Sequence, residues 1–120
     1  MRVAAATFTL MLSLALSMSA PAQDKKSVSF EKDVMPILKA SCVSCHKPDK
    51  KKGKLDMSTY AALLKGGDQG SPVMPGNAKK SLLIEVVSGK EPEMPEKGDP
   101  LTAAQVDVLT RWIMDGAKQN

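Results

Sequence analysis

The chain holds two cysteines and one histidine, and all three fall within five consecutive residues, Cys42-Val43-Ser44-Cys45-His46. C-x-x-C-H is the attachment signature of c-type haem. Two intervening residues let both thiols reach neighbouring vinyl groups and bond as thioethers, and the histidine that follows is held under the iron as its proximal ligand. A structural zinc site asks for about four N or S ligands, usually in two separated pairs, and this chain has no second pair. A thioredoxin-like dithiol calls for a surrounding βαβ pattern, which is absent. Covalent haem on Cys42 and Cys45, with His46 on the iron, is the expectation.

Length places the rest. A chain of 120 residues makes one domain at most. Arg2 followed by the apolar run Val3 to Met18 and Ala20-Pro21-Ala22 has the pattern of an export signal with an A-x-A cleavage site after Ala22. The apolar run is shorter than the ~20 residues a spanning helix needs. Residues 1–22 are therefore expected to be removed, leaving no membrane anchor. No cysteine follows the run to take a lipid. Residues 23–29 read as a flexible lead-in, and residues 30–120 as the domain. Cleavage removes only Arg2 among charged residues, so the net charge falls from +4 to +3. With four aromatic residues in the whole chain, so small a domain has little from which to build a core, and a buried porphyrin would supply apolar mass.

The periodicity predicts an all-α fold of about four helices and long loops around one haem. Phe30, Val34, Ile37 and Leu38 recur at helical spacing into Cys42, with Pro36 either kinking the helix or opening a new one. Lys47 to Lys54 reads as a loop. Ser58 is expected to cap a short helix with Tyr60, Leu63 and Leu64 inward, ended by Gly66-Gly67. Residues 68–76 form a loop. Asn77 is placed as the cap of a helix through Ser88, with Leu82, Leu83, Val86 and Val87 as its stripe. After the loop Lys90 to Pro100, Thr102 with Gln105 gives a capping box, and Leu101 with Val106 a hydrophobic staple. The last helix turns Val106, Leu109 and Ile113 inward beside Trp112. No strand alternation is visible.

A second axial ligand must come from elsewhere than histidine, and methionine is the remaining common donor in electron-carrying cytochromes. Met35 and Met114 read as core filling and Met57 as packing near the ring. Met74-Pro75 and Met94-Pro95 lie in proline-stiffened loops able to present a sulfur. Met94 is the stronger candidate on the residues, standing between Pro92 and Pro95 before the last helix, but both remain open at this point. Lys47, Lys50, Lys51, Lys52 and Lys54 follow the motif and can steer an acidic redox partner toward it; a merely solvated basic loop is the alternative. No aromatic residues interleave with these lysines and the net charge is small, so nucleic acid is not expected.

The run Phe30-Glu-Lys-Asp-Val34-x-Pro36-Ile-Leu38 with Cys42-x-x-Cys45-His46 resembles the opening of the Planctomycete-type cytochrome c domain family. The resemblance continues through Gly53-Lys-Leu55-Asp56, Lys65-Gly-Gly67, Pro75-Gly76, Ser81-Leu82-Leu83, Met94-Pro95, Leu101-Thr102, Trp112-Ile113 and Gly116-Ala117. It implies a small class I-like cytochrome c with helices around one haem, attached outside the cytoplasmic membrane. It also implies that Met94 is the distal ligand, leaving Met74 to the core or the haem wall. Many such domains are fused to larger proteins; this chain stops after the domain, which points to a free, monomeric periplasmic carrier. With both axial positions filled, electron transfer is expected rather than catalysis. A haem-based sensor or small haem enzyme would need a vacant or labile sixth site, and a thiol-disulfide protein would need free thiols at Cys42 and Cys45.

Overall fold

A computed structural model describes residues 27–120. The expected leader and the first part of the lead-in lie outside these residues. Packing begins inside the stretch read as lead-in: Val28 is buried, and the Ser29 hydroxyl accepts the Lys32 amide at 3.1 Å while the Ser29 amide donates to the Asp33 carboxylate at 2.8 Å. These reciprocal bonds open a π-helical turn, Phe30–Val34, that runs into α1, Met35–Ser41. Pro36 sits in the first turn of α1, where its missing N–H leaves no bond unmade. The backbone stays helical through Val34 and Met35, so Pro36 is the second residue of α1 and does not itself open the helix.

The basic segment after the motif is not wholly a loop. His46–Lys47 (β1) and Lys50–Lys51 (β2) pair antiparallel, with His46 opposite Lys51. A 3-10 turn, Lys52–Lys54, follows. Two residues per strand are too few to show alternation in a sequence, so this hairpin left no signal. The four α-helices otherwise come as expected, with shifted starts.

Helix α2, Tyr60–Lys65, is capped by Thr59, whose hydroxyl accepts the Ala62 amide at 3.1 Å. Ser58 does not cap it, because Asp56 takes both its amide and its hydroxyl at 2.9 and 2.6 Å. Gly66 ends the helix at φ 76°, so close to the next turn that a Cβ there would lie 2.1 Å from the Gly70 carbonyl oxygen. Helix α3, Leu82–Val87, begins five residues beyond the expected cap. Asn77 instead accepts the Lys80 amide in a preceding turn, and buried Ser81 bonds Met74 and Asn77. Helix α4, Ala103–Met114, opens on the complete Thr102–Gln105 capping box, with bonds of 3.1 and 2.9 Å.

The core lies between the Phe30–Ser41 segment and α4. Phe30, Leu38, Leu63, Leu109, Trp112 and Ile113 are almost wholly buried. Phe30 meets Tyr60 edge-on at 5.2 Å and Trp112 at 5.4 Å. The polar tips of this trio are satisfied: Tyr60 Oη donates to Ala117 and Trp112 Nε1 to Lys118, at 2.8 and 2.9 Å. Met35 is buried, but Met114 and Met74 are 55% and 48% exposed, contrary to the core and wall roles expected of them. Met114 follows Ile113 by one residue, some 100° round the helix and off the inward stripe, and its sulfur accepts the Ala78 amide at 3.5 Å.

Asn120 clasps the two ends of the domain. Its side chain accepts from the Phe30 amide at 2.9 Å and donates to the Val28 carbonyl at 3.2 Å. Asn120→Ala leaves the amide of a buried residue without its acceptor, so unfolding in guanidinium is expected to show a loss of about 1–3 kcal/mol.

Candidate cofactor site

Helix α1 delivers the motif. The Cys42 amide continues the helical ladder to Leu38, and the amides of Cys45 and His46 both turn back to the Cys42 carbonyl at 3.2 and 3.0 Å. This turn keeps Cys42 and Cys45, three apart, on one side. Backbone bonds on the far side fix it: Lys52 N–H donates to Cys45 and Met57 N–H to His46, at 3.2 and 2.8 Å. Both cysteines are half-buried and neither is joined in a disulfide, and burial pushes the Cys42 thiol up to about 11.

Cys42, Cys45 and His46 line one cavity of about 380 Å³, within the roughly 300–1,000 Å³ of ligand and cofactor sites. Leu55 and Met57 form the adjoining wall. Leu82, Leu83, Val86 and Val87 of α3 supply an apolar side, and the loop carrying Met94 supplies another. The inward stripe expected of α3 thus divides its work: Leu83 and Val87 are buried, while Leu82 and Val86 are half-buried against the cavity.

His46 Nδ1 lies 3.3 Å from the Leu55 carbonyl oxygen. A carbonyl only accepts, so Nδ1 carries the proton and Nε2 is the nitrogen left to ligate. This contact spans nine residues and has no sequence signal. Met94 is half-buried in the cavity wall, its loop tied to α3 by Met94 N–H donating to Val86 at 2.8 Å. Met57 is a second thioether on the same cavity, buried to 3% exposure. Met57 is bonded to the His46 backbone and so belongs to the histidine's side, whereas Met94 comes from a separate segment. Met74 does not reach the cavity.

The basic loop is partly neutralised within the domain. Lys52 pairs with Glu96 at 3.1 Å and Lys54 with Asp68 at 3.7 Å. The hydrogen bond to Glu96 and its negative charge raise the Lys52 ammonium above its usual range. Lys47 is half-buried and Lys54 exposed.

Two thiols on one turn, an imidazole with a fixed tautomer, a thioether from another segment and apolar helix walls fit a large flat apolar cofactor bearing iron. They do not fit zinc: among the described residues, no three His, Cys, Asp or Glu side chains converge to hold a metal ion.

A helical domain with C-x-x-C-H on the wall of an apolar cavity has the features of a c-type cytochrome. The family model described as Planctomycete cytochrome C matches residues 42–98, from the first cysteine to the loop beyond Met94. Over that stretch the chain is similar to the Planctomycete cytochrome C family, and haem c is the cofactor that such a domain implies. Among solved structures, Kuenenia stuttgartiensis hydrazine synthase matches with 29% identity and a TM-score of 0.49. The match covers 75% of this chain and 16% of that one. No curated protein sequence matches.

Proposed function

We propose that this chain is an exported monohaem c-type cytochrome that carries single electrons with His46 and Met94 as axial ligands. The observation that carries the reading is that His46 and Met94, from separate segments, share one cavity with Cys42 and Cys45. Haem supplies reversible one-electron iron chemistry when bound. The chain's own residues anchor, orient and shield. Cys42 and Cys45 would anchor the ring as thioethers, and the Leu55 carbonyl, at His46 Nδ1, would leave Nε2 to ligate iron. Met94, on the same cavity wall, would supply the second ligand, which favours a carrier over an enzyme. The α3 side chains exclude water, which with the thioether raises the reduction potential. Export follows from the apolar run and A-x-A pattern before Gln23; among the described residues, no helix is long and apolar enough to cross a membrane. An acidic redox partner would dock on the basic segment that follows the motif, Lys47, Lys50, Lys51, Lys52 and Lys54.

The test is exposure of the reduced protein to carbon monoxide and of the oxidised protein to cyanide. A carrier with both axial positions filled keeps its spectrum at millimolar ligand. Immediate conversion would instead select a sensor or small enzyme with an open site.

Gly67 ties the wall to the histidine. A Cβ on it would lie 2.3 Å from the Gly53 carbonyl oxygen and 2.9 Å from the Leu55 nitrogen, in the backbone that presents the His46 acceptor. Gly67→Ala is expected to cost about 1–3 kcal/mol through overpacking. It also weakens the hydrogen bond that makes the imidazole a stronger donor. A less basic imidazole favours ferric iron less, so voltammetry should show a higher potential.

A further inference from the structure

We infer that Lys52 and Glu96 form a latch at the cavity that holds the Met94 loop closed and keeps outside ligands from the iron; this rests on the His46/Met94 reading. The loop from Gly89 to Pro100 contains three prolines and two glycines and no regular element. Among the described residues, hydrogen bonds and ion pairs tie it to the rest of the domain at two places, beside the packing of Met94 on the core. One is the backbone bond from Met94 to Val86 on α3. The other is the Lys52–Glu96 pair at 3.1 Å, two residues past Met94.

Both partners belong to the cavity wall, so the pair lies at the cavity rather than on a remote surface. The fixed end is firm, because the Lys52 amide is bonded to the carbonyl of Cys45 inside the motif. The latch therefore joins the segment that carries His46 to the segment that carries Met94, across 44 residues of chain. The side chains are 45% and 53% exposed, so salt must weaken the pair. An exposed pair adds little to global stability. Its effect falls on the equilibrium between a closed loop and a loop swung away with Met94 off the iron, which is the state an outside ligand captures.

The probe is imidazole at pH 8, where it is neutral and indifferent to the charge changes, titrated into the haem-loaded ferric protein and followed by absorption. Lys52→Gln and Glu96→Gln are each expected to raise imidazole affinity about three- to fivefold at low salt, the size of effect an exposed pair supports. The swap Lys52→Glu with Glu96→Lys restores wild-type affinity. Wild-type affinity rises with added salt toward that of the single variants, whose own values stay flat. Unchanged affinity in the single variants, or a swap that binds as tightly as they do, overturns the latch. Loss of the parent reading looks different: wild-type ferric protein would then lack the iron–thioether band before any titration. Far-ultraviolet circular dichroism of each variant, expected to equal wild type, separates loop release from unfolding.

Discussion

Met94→Ala in the haem-loaded protein is expected to abolish the weak iron–thioether band and shift the ferric spectrum toward high spin. It should also open the iron to carbon monoxide and cyanide. The reduction potential should fall by on the order of 0.1 V or more, within the roughly 0.8 V over which axial ligands move haem potentials. The sign follows from the soft thioether, which favours ferrous iron. Met57→Ala is the control: its sulfur lines the same cavity, but its amide is bonded to the His46 carbonyl at 2.8 Å, on the histidine's side. That variant should keep the band and lose only packing. If the band survives Met94→Ala and disappears in Met57→Ala, the two methionines have been assigned the wrong way round.

The largest effect on stability is expected at Trp112. It is 1% exposed, meets Phe30 at 5.4 Å in a tilted contact and Tyr60 at 6.5 Å, and bonds the Lys118 carbonyl. Three of the chain's four aromatic residues therefore meet at one point, and Trp112 joins α4 to the turn that leads into the motif. Trp112→Ala should cost about 3–5 kcal/mol, read from the guanidinium midpoint of the loaded protein. Trp112→Phe keeps most of the apolar area but gives up the indole N–H, so it should recover the greater part. Equal losses in both variants would place the weight on the Lys118 bond rather than on packing.

What was legible in the sequence was local. C-x-x-C-H needs only five residues, and Thr102 with Gln105 only four. The stripes of α3 and α4 repeat within single helices, so their inward faces could be read. Where the sequence misled, two neighbours competed for one job. Ser58 and Thr59 can both cap α2, and the choice fell to Thr59 because Asp56 holds Ser58. Asn77 does cap, but only a turn, and α3 waits for Leu82.

Other features depend on chain segments meeting. The His46 contact with Leu55 and the hairpin at residues 46–51 belong to the folded backbone. Lys52 and Glu96 are far apart in sequence, and the Asn120 clasp joins the two ends of the domain. Met94 could be singled out from its prolines and from the family resemblance. Its place on the same cavity as His46, and the exposure of Met74, came only from the fold.

The central claim is that Cys42 and Cys45 carry one covalent haem held by His46 and Met94. It is tested most directly by intact mass and absorption on the exported, purified protein. The predicted result is a mass equal to residues 23–120 plus one haem, unchanged by acid and acetone, a c-type pyridine haemochrome, and a low-spin ferric spectrum with the iron–thioether band. A chain at its bare mass with two titratable thiols would contradict it.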